Sequence, residues 1–433
     1  MFPTLSENRW LRLGTLCALY VAQGLPFGFV SQGLRDFLHG NGVAAAETGA
    51  LIALISLPWM FKAVWGPIID RYGIPAMGRR RPWILLAQTL MALAIFCLIF
   101  VPNLTENFRV LSIAILVVNV FASIQDVAVD ALAVDLLQEK ERGKANGFIY
   151  GSSYLGSWLG GFVVGGYVLN NFGIRAGLIT LSCVILVIMI LPLLFKERRG
   201  EKRLPWSSGE IQTEVERSRP HSLVELFRFV FQAFFGRTAA LVGLVFAFVA
   251  QIGIAALAIL SSSFLIQDQG WDKAEYNLVV AGWASWISLA GCFAAGFIAD
   301  KIGPRRTICI ACIVLGAGWL VFGNSGEEQW QSRRFITTLV FVQAFFQGML
   351  SIAMFTMFMG LSDRKVGATQ FTTFMAFLNF STFAGNKFAE FVDRNALYVP
   401  AIYIGLGCFQ IAILALLFWI RPRKKEIPHR IGE

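Results

Sequence analysis

Charge is scarce in this 433-residue chain: Asp, Glu, Lys and Arg make up 15% of it, against 56% hydrophobic residues. Soluble domains usually carry about 25% charge, so the deficit excludes an ordinary water-soluble enzyme. Histidine is scarcer still, and the three present, His39, His221 and His429, stand at the edges of apolar runs. Carboxylates are therefore left as the proton carriers inside those runs. The seven cysteines (Cys17, Cys97, Cys183, Cys292, Cys309, Cys312, Cys408) all fall in apolar stretches, odd in number and without paired loop positions, so they offer no disulfide framework. Cys309 and Cys312 form a CxxC inside the run Thr307–Phe322, which reads as buried packing. The chain has no Walker-type loop for ATP-driven work and no His-rich or Ser/His/Asp cluster for a membrane-embedded enzyme such as an acyltransferase. No cofactor or metal is expected.

What the chain has is apolar length, with a mean hydropathy of +0.63. Runs broken by charge or Gly/Pro punctuation place helices near 10–38, 46–69, 83–102, 109–137, 144–169 and 174–195, then 237–267, 274–299, 305–323, 334–362, 367–392 and 398–420. A span needs roughly 20 apolar residues, so these are about twelve transmembrane helices of an all-α membrane protein. The first run, from Leu11 to about Phe37, is too long for a cleavable signal and reads as the first span. The only long polar segment, Lys196–Gly236, contains Pro205 and Pro220 and divides the chain into 1–195, a linker 196–236, and 237–433 with a basic tail. Its end, Leu223–Phe231, mixes Glu225 and Arg228 with Leu226, Phe227, Phe229, Val230 and Phe231, as a helix lying in the membrane interface would.

The net charge of +10 and pI of about 9.4 would suggest nucleic acid in a soluble protein. Placement argues otherwise. Basic residues cluster in alternate connections (Arg79–Arg81; Lys140, Arg142, Lys144; Arg198, Arg199, Lys202, Arg203; Lys301, Arg305, Arg306; Arg421, Arg423, Lys424, Lys425), and the intervening connections are poor in them. By the positive-inside rule both termini are cytoplasmic and the number of spans is even.

The two halves are repeats. Gly66-Pro-Ile-Ile-Asp70-Arg71 with Gly78-Arg79-Arg80-Arg81 follows the second helix, and Gly296-Phe-Ile-Ala-Asp300-Lys301-Ile-Gly303-Pro304-Arg305-Arg306 follows the eighth, 230 positions later. Both are forms of G-x-x-x-D-[RK]-x-G-x-[RK]-[RK], the first with a short insertion, and the spacing fits a six-plus-six transporter. The pattern resembles the cytoplasmic loop motif of the major facilitator superfamily, which implies two six-helix bundles with pseudo-two-fold symmetry. Physically it suits a gate: glycine lets helices approach, the aspartate faces a helix N-terminus or an arginine of the other half, and the basic cluster holds the loop in the cytoplasm. Asp70, Arg71, Arg79, Arg80, Asp300 and Arg305 are the gating candidates.

Ionisable residues deep in a span cost roughly 2.5–3.5 kcal/mol each on the insertion scale and need a partner or a function. Asn119, Ser123, Asp126 and Asp130 fall on one face of the fourth helix at i, i+4, i+7 and i+11. Asp135 points elsewhere, towards capping or pairing with Arg142. Lys62 lies at a depth similar to Asp130, so a pair with Asp126 or Asp130 is expected, either static or broken by protonation or by substrate. The fifth helix carries Asn146, Tyr150, Ser153 and Ser157 on one stripe, facing a cavity or a neighbouring helix, and glycines four apart on its other faces. Gln343 and Gln347 share the tenth helix. Asn379, Thr382, Asn386 and Glu390 share a face of the eleventh, with Lys387 beside them, where Lys387 and Glu390 form an outer gate or a local ion pair. Gln23, Gln125 and Gln251 complete a set of amides suited to a large, polar, hydrogen-bonding substrate. Trp10, Trp83, Trp206, Trp271 and Trp330 near span ends fit interfacial belts. Trp59, Trp65 and Trp158 lie deeper, for packing or for stacking on a substrate.

Gln23-Gly24-Leu25-Pro26, Phe61-Lys62-Ala-Val-Trp65-Gly-Pro67, Gln125-Asp126-Val-Ala-Val-Asp130-Ala, Glu141-Arg142-Gly143 and Ala368-Thr369-Gln370-Phe371 resemble the muropeptide permease (AmpG-like) and acetyl-CoA transporter branch of that superfamily. The resemblance implies a secondary transporter, not an enzyme, in a bacterial inner membrane. It implies proton-driven import of 1,6-anhydro-muropeptides, with siderophore or acetyl-CoA transport as alternatives within the branch. Lys62, Asp126 and Asp130 would couple protons. The partners expected are a small-molecule substrate, protons and the lipid bilayer, with no nucleic acid and a monomeric protein.

Overall fold

The computed structural model describes residues 3–34, 37–38, 54, 57–59, 61–101, 107–207, 209, 222–272, 275–276 and 278–420. Much of the first part of the expected helix 46–69, the three histidines and the basic tail from Arg421 lie outside the described residues. Those described contain helices and no strand. In chain order they are α1 Arg9–Gly28, α2 Trp65–Arg71, α3 Arg81–Cys97, α4 Phe108–Leu136, α5 Arg142–Trp158, α6 Asn170–Leu194, α7 Leu223–Phe235, α8 Thr238–Val249, α9 Ile252–Ser263, α10 Ala284–Ile302, α11 Pro304–Gly323, α12 Glu327–Gln331, α13 Arg333–Leu361, α14 Gly367–Arg394 and α15 Val399–Ala412.

Among the described residues, nine helical stretches are long and apolar enough to cross a membrane. One of them, Glu139–Leu194, is 56 residues long and is two spans, because Gly173 (φ 82°) breaks it near the start of α6. α14 is 28 residues, about 42 Å at 1.5 Å per residue, and its polar face alone keeps it out of that set. With α14, and with α2 standing where the second span is expected to end, this is the expected major facilitator architecture: two six-helix bundles.

Within the first half α1 packs on α5, and α3 on α4 and α6; within the second, α10 packs on α13, α11 on α13 and α15, and α9 on α14. The seam between α1 and α5, and between the helical stretches Phe29–Leu34 and Leu159–Leu169 that continue them, is built on glycine. A Cβ at Gly156 would strike the Val21 carbonyl, and one at Gly165 would strike Gly33 Cα. Small residues give helices in lipid the close contact that no hydrophobic effect supplies there.

Three expectations need correction. The seventh span is one stretch, Thr238–Asp268, but its helix is interrupted: α8 ends before Ala250 and α9 starts at Ile252, with Gln251 at the break donating its backbone N–H to Ser381 Oγ at 2.9 Å. Trp271 and Trp330 are not in a lipid belt but buried, at 3% and 5% exposure. The Trp271 indole donates to the Trp330 carbonyl at 3.4 Å, and Arg333 sits 4.1 Å over the Trp271 ring. The amphipathic helix α7 extends four residues beyond the expected Phe231. Ser222 Oγ caps it by accepting from Glu225 N–H at 3.0 Å, and Val224, Phe227, Phe231 and Phe235 form one exposed apolar face.

Candidate transport site and gate

α4 carries the buried polar stripe where the sequence puts it: Asn119, Ser123, Asp126 and Asp130 are each at most 3% exposed. Lys62, in the short turn Lys62–Val64 that leads into α2, reaches Asp126 Oδ2 with Nζ at 2.8 Å. Gln23 Nε2 of α1 donates to the other oxygen of Asp126 at 2.7 Å. Asp130, one turn further along α4, does not take the lysine; it accepts the hydroxyl of Tyr20. Sequence reading left Lys62 between the two aspartates and missed Tyr20, whose signal is its place one turn before Gln23 on α1. Each carboxylate so buried needs such a partner, since an unpaired ion in a low-dielectric interior costs several kcal/mol.

The stripe continues through two indoles. Trp59 Nε1 donates to Asn119 Oδ1 at 3.3 Å and Trp65 Nε1 to Ser123 Oγ at 3.1 Å. Gln125 does not join it: it faces α1, donating from Nε2 to the Leu19 carbonyl at 2.9 Å. Asn146 and Tyr150 face a helix of the other half, not an open cavity. Asn146 Nδ2 donates to Thr356 Oγ1 at 3.1 Å, and the Tyr150 ring stacks on Phe355 at 4.1 Å between centroids. Asn379 Nδ2 of α14 donates to the Trp59 carbonyl at 3.2 Å, while Asn386 is exposed further along the same helix. Gln343 and Gln347 line a cavity of about 300 Å³ in the second half.

At the end of the molecule that carries the basic loops, the two motif aspartates do the same thing in opposite directions. Asp70 of α2 accepts from the N–H of Ala368 (3.3 Å) and Thr369 (2.8 Å) and from Thr369 Oγ1 (2.7 Å), at the N-terminus of α14 in the other half. Asp300 of α10 accepts from the N–H of Gly143 (2.8 Å) and Lys144 (3.1 Å), at the N-terminus of α5 in the first half. Free N–H groups and the positive end of a helix dipole favour a carboxylate there. Glycine makes the approach possible: a Cβ at Gly66 would lie 2.6 Å from Thr369 Cα, and one at Gly143 2.6 Å from the Gly296 carbonyl.

The arginines divide their work. Arg80 Nη1 pairs with Asp70 at 2.8 Å and its Nε with Asp135 at 2.9 Å. Asp135 therefore does not pair with Arg142, which crosses to the Met359 carbonyl at 3.2 Å. Arg79 pairs with Asp70 at 3.3 Å and bridges to the Lys365 carbonyl of the other half. Arg71 lies over the ring of Tyr72 at 5.2 Å. Arg305 stays within its half, bonded to the Leu417 carbonyl. Glu197, which sequence reading passed over as a linker charge, caps α3: its carboxylate accepts from the N–H groups of Arg79, Arg80 and Arg81 at 3.2, 2.8 and 2.6 Å. At the opposite end Lys387 and Glu390 form the local pair at 2.7 Å, and Arg394 joins Glu390 at 2.5 Å.

The hydrogen bonds named here that link the halves, from Arg79–Lys365 to Asn379–Trp59, run from the basic end to the middle. That end is sealed.

The Major Facilitator Superfamily model matches residues 13–260 and 243–433, and the chain belongs to that family. An uncharacterised protein of Haemophilus influenzae is 26% identical over 460 residues, covering 98% of both chains. An anhydromuropeptide permease of Escherichia coli is 26% identical over 371 residues, covering 84% of this chain and 71% of that one. Among solved structures, the proton:xylose symporter XylE aligns with a TM-score of 0.66 at 13% identity, over 95% of this chain and 96% of that one. The human organic anion transporter MFSD10 aligns with 0.64 at 15% identity, over 94% and 97%. At such identities the structures share a fold.

Proposed function

We propose that this protein is a secondary transporter of a bacterial inner membrane that imports 1,6-anhydro-muropeptides with protons by alternating access. The observation that carries alternating access is the reciprocal capping at the basic end, Asp70 on α14 and Asp300 on α5. Each half holds a helix start of the other, so parting the halves there breaks both sets together. The positive-inside rule makes that end cytoplasmic, with both termini on the same side and the protein working as a monomer in the bilayer. The substrate class follows the likeness to the Escherichia coli permease, and the amides Gln23, Asn119, Gln343, Gln347, Asn379 and Asn386 suit such a solute.

Coupling is assigned to Lys62, Asp126, Asp130 and Tyr20. An anionic group of the substrate draws Lys62 from Asp126, the freed carboxylate takes a proton, and the neutralised stripe can pass through the occluded state. Asp130 with Tyr20 is the second acceptor on the path towards the basic end. The test is uptake of labelled anhydro-muropeptide into proteoliposomes with and without an inward proton gradient. No uptake in either condition removes the substrate assignment, and uptake indifferent to the gradient removes the coupling.

A further inference from the structure

The cavity of about 300 Å³ lies in the second half, between α9, α10, α11 and α13, with Tyr154 of α5 reaching in from the first half. Not one residue lining it is charged. Its polar side chains are hydroxyls and amides, among them Tyr154, Ser261, Ser285, Gln343 and Gln347, beside the indole of Trp319. Gln343 uses its carbonyl to accept from Trp319 Nε1 at 3.3 Å, which leaves its two N–H donors. Neither those donors, the Gln347 amide nor the Tyr154 hydroxyl has a hydrogen-bond partner among the described residues. Bidentate amides beside an aromatic face recognise neutral polar rings and give an ion no counter-charge. The volume is at the lower end of small-molecule sites, about 300–1,000 Å³, so it takes a part of a large solute and not the whole.

We propose that this cavity is a subsite for an uncharged, hydroxyl- and acetamide-bearing sugar ring, while the Lys62–Asp126 pair in the first half receives the charged part of the same solute. The inference rests on the transport reading above and adds where each part of the solute is held. Gly318 supplies a clean perturbation. It lines the cavity, and a Cβ added there meets nothing within 4 Å, so the side chain of Gly318→Leu starts in open space and reduces the cavity.

The test uses purified full-length protein and the neutral disaccharide of N-acetylglucosamine, with binding followed by saturation-transfer NMR and calorimetry. The wild type should bind saturably, Gln347→Ala at least tenfold more weakly, and Gly318→Leu not measurably. Should Gly318→Leu melt early, Gln347→Ala decides. The subsite is overturned if the wild type does not bind the disaccharide, or if Gln347→Ala and a folded Gly318→Leu bind it as wild type does. Anhydro-muropeptide uptake without disaccharide binding would end the subsite and leave the transport reading standing; disaccharide binding without uptake would do the reverse.

Discussion

Replacing Asp70 by asparagine keeps the side-chain volume and removes the charge that three donors of α14 share. Asp70 is 1% exposed, so no water screens those contacts. Hydrogen bonds to a charged group contribute roughly 1.5–3 kcal/mol each and neutral ones about 0.5–1.5. Asparagine still offers one carbonyl oxygen, so the net loss is about 1–3 kcal/mol after allowing for weak geometry at Ala368. That loss falls on the sealed state alone, because the Ala368 and Thr369 contacts exist only while the halves touch. The equilibrium should move about 5–150-fold towards opening at the basic end. Arg80 keeps Asp135 as a partner, so the variant should fold. Spin labels at Lys140 and Lys301, both exposed and on opposite halves, report the change as a longer distance population in pulsed electron spin resonance on a background cleared of native cysteines. Identical distance distributions for Asp70→Asn and wild type would refute the reasoning. The pseudo-symmetric variant Asp300→Asn tests the same logic through Gly143 and Lys144.

Gly66→Ala should open the basic end with every charge in place, since its Cβ would lie 2.6 Å from Thr369 Cα and overpacking costs roughly 1–3 kcal/mol; unchanged label distances would show that the contact yields. Asp126→Asn and Asp130→Asn should lose proton-driven accumulation of anhydro-muropeptide and keep energy-independent exchange, and accumulation at the wild-type level by both variants would remove them from coupling. Glu201, in the linker, is pushed up from 4.5 to about 8 by burial and by Glu197 beside it. The folded state then holds a proton that the unfolded chain has released, so stability from this group is greatest in acid and falls as pH rises from about 4.5 through about 8. Thermal melts at pH 5.5 and 8.5 should accordingly differ more for wild type than for Glu201→Gln, and an equal difference would dismiss the carboxyl as the source.

What was legible in the sequence was local in sequence. The spans, the stripe on α4 and both copies of the loop motif follow from spacing along a single helix or loop, and spacing survives folding. What was not legible depends on chain segments that meet only in three dimensions. Arg142 is the nearest arginine to Asp135 along the chain, yet Arg80 takes that aspartate because α3 starts beside the end of α4. Glu197 looks like one more linker charge, and caps α3 only because the sixth span delivers the chain back to that helix start. Gln125 and Gln23 are alike as letters, but the α-helical period turns one towards the Leu19 carbonyl and brings the other against Asp126. Tyr20 hid among apolar neighbours because a tyrosine in a span reads as bulk until its hydroxyl finds a carboxylate.

The repeat is also kept unequally, and the inequality follows the work to be done. A gate between two rocking halves needs the same latch on each, and Asp70 and Asp300 supply it with the same chemistry at helix starts of opposite halves. Coupling to protons has no such need: one titrating cluster suffices, and a second would add another desolvation cost of roughly 2.5–3.5 kcal/mol per ion without adding direction. Lys62, Asp126, Asp130 and Tyr20 all belong to the first half, while the cavity of the second is lined by amides, hydroxyls and aromatic rings. Under the proposed reading, charge in one half and neutral hydrogen bonding in the other would let a single solute with both kinds of group bind across the seam. On that reading its binding would couple movement of the halves to release of the carboxylate.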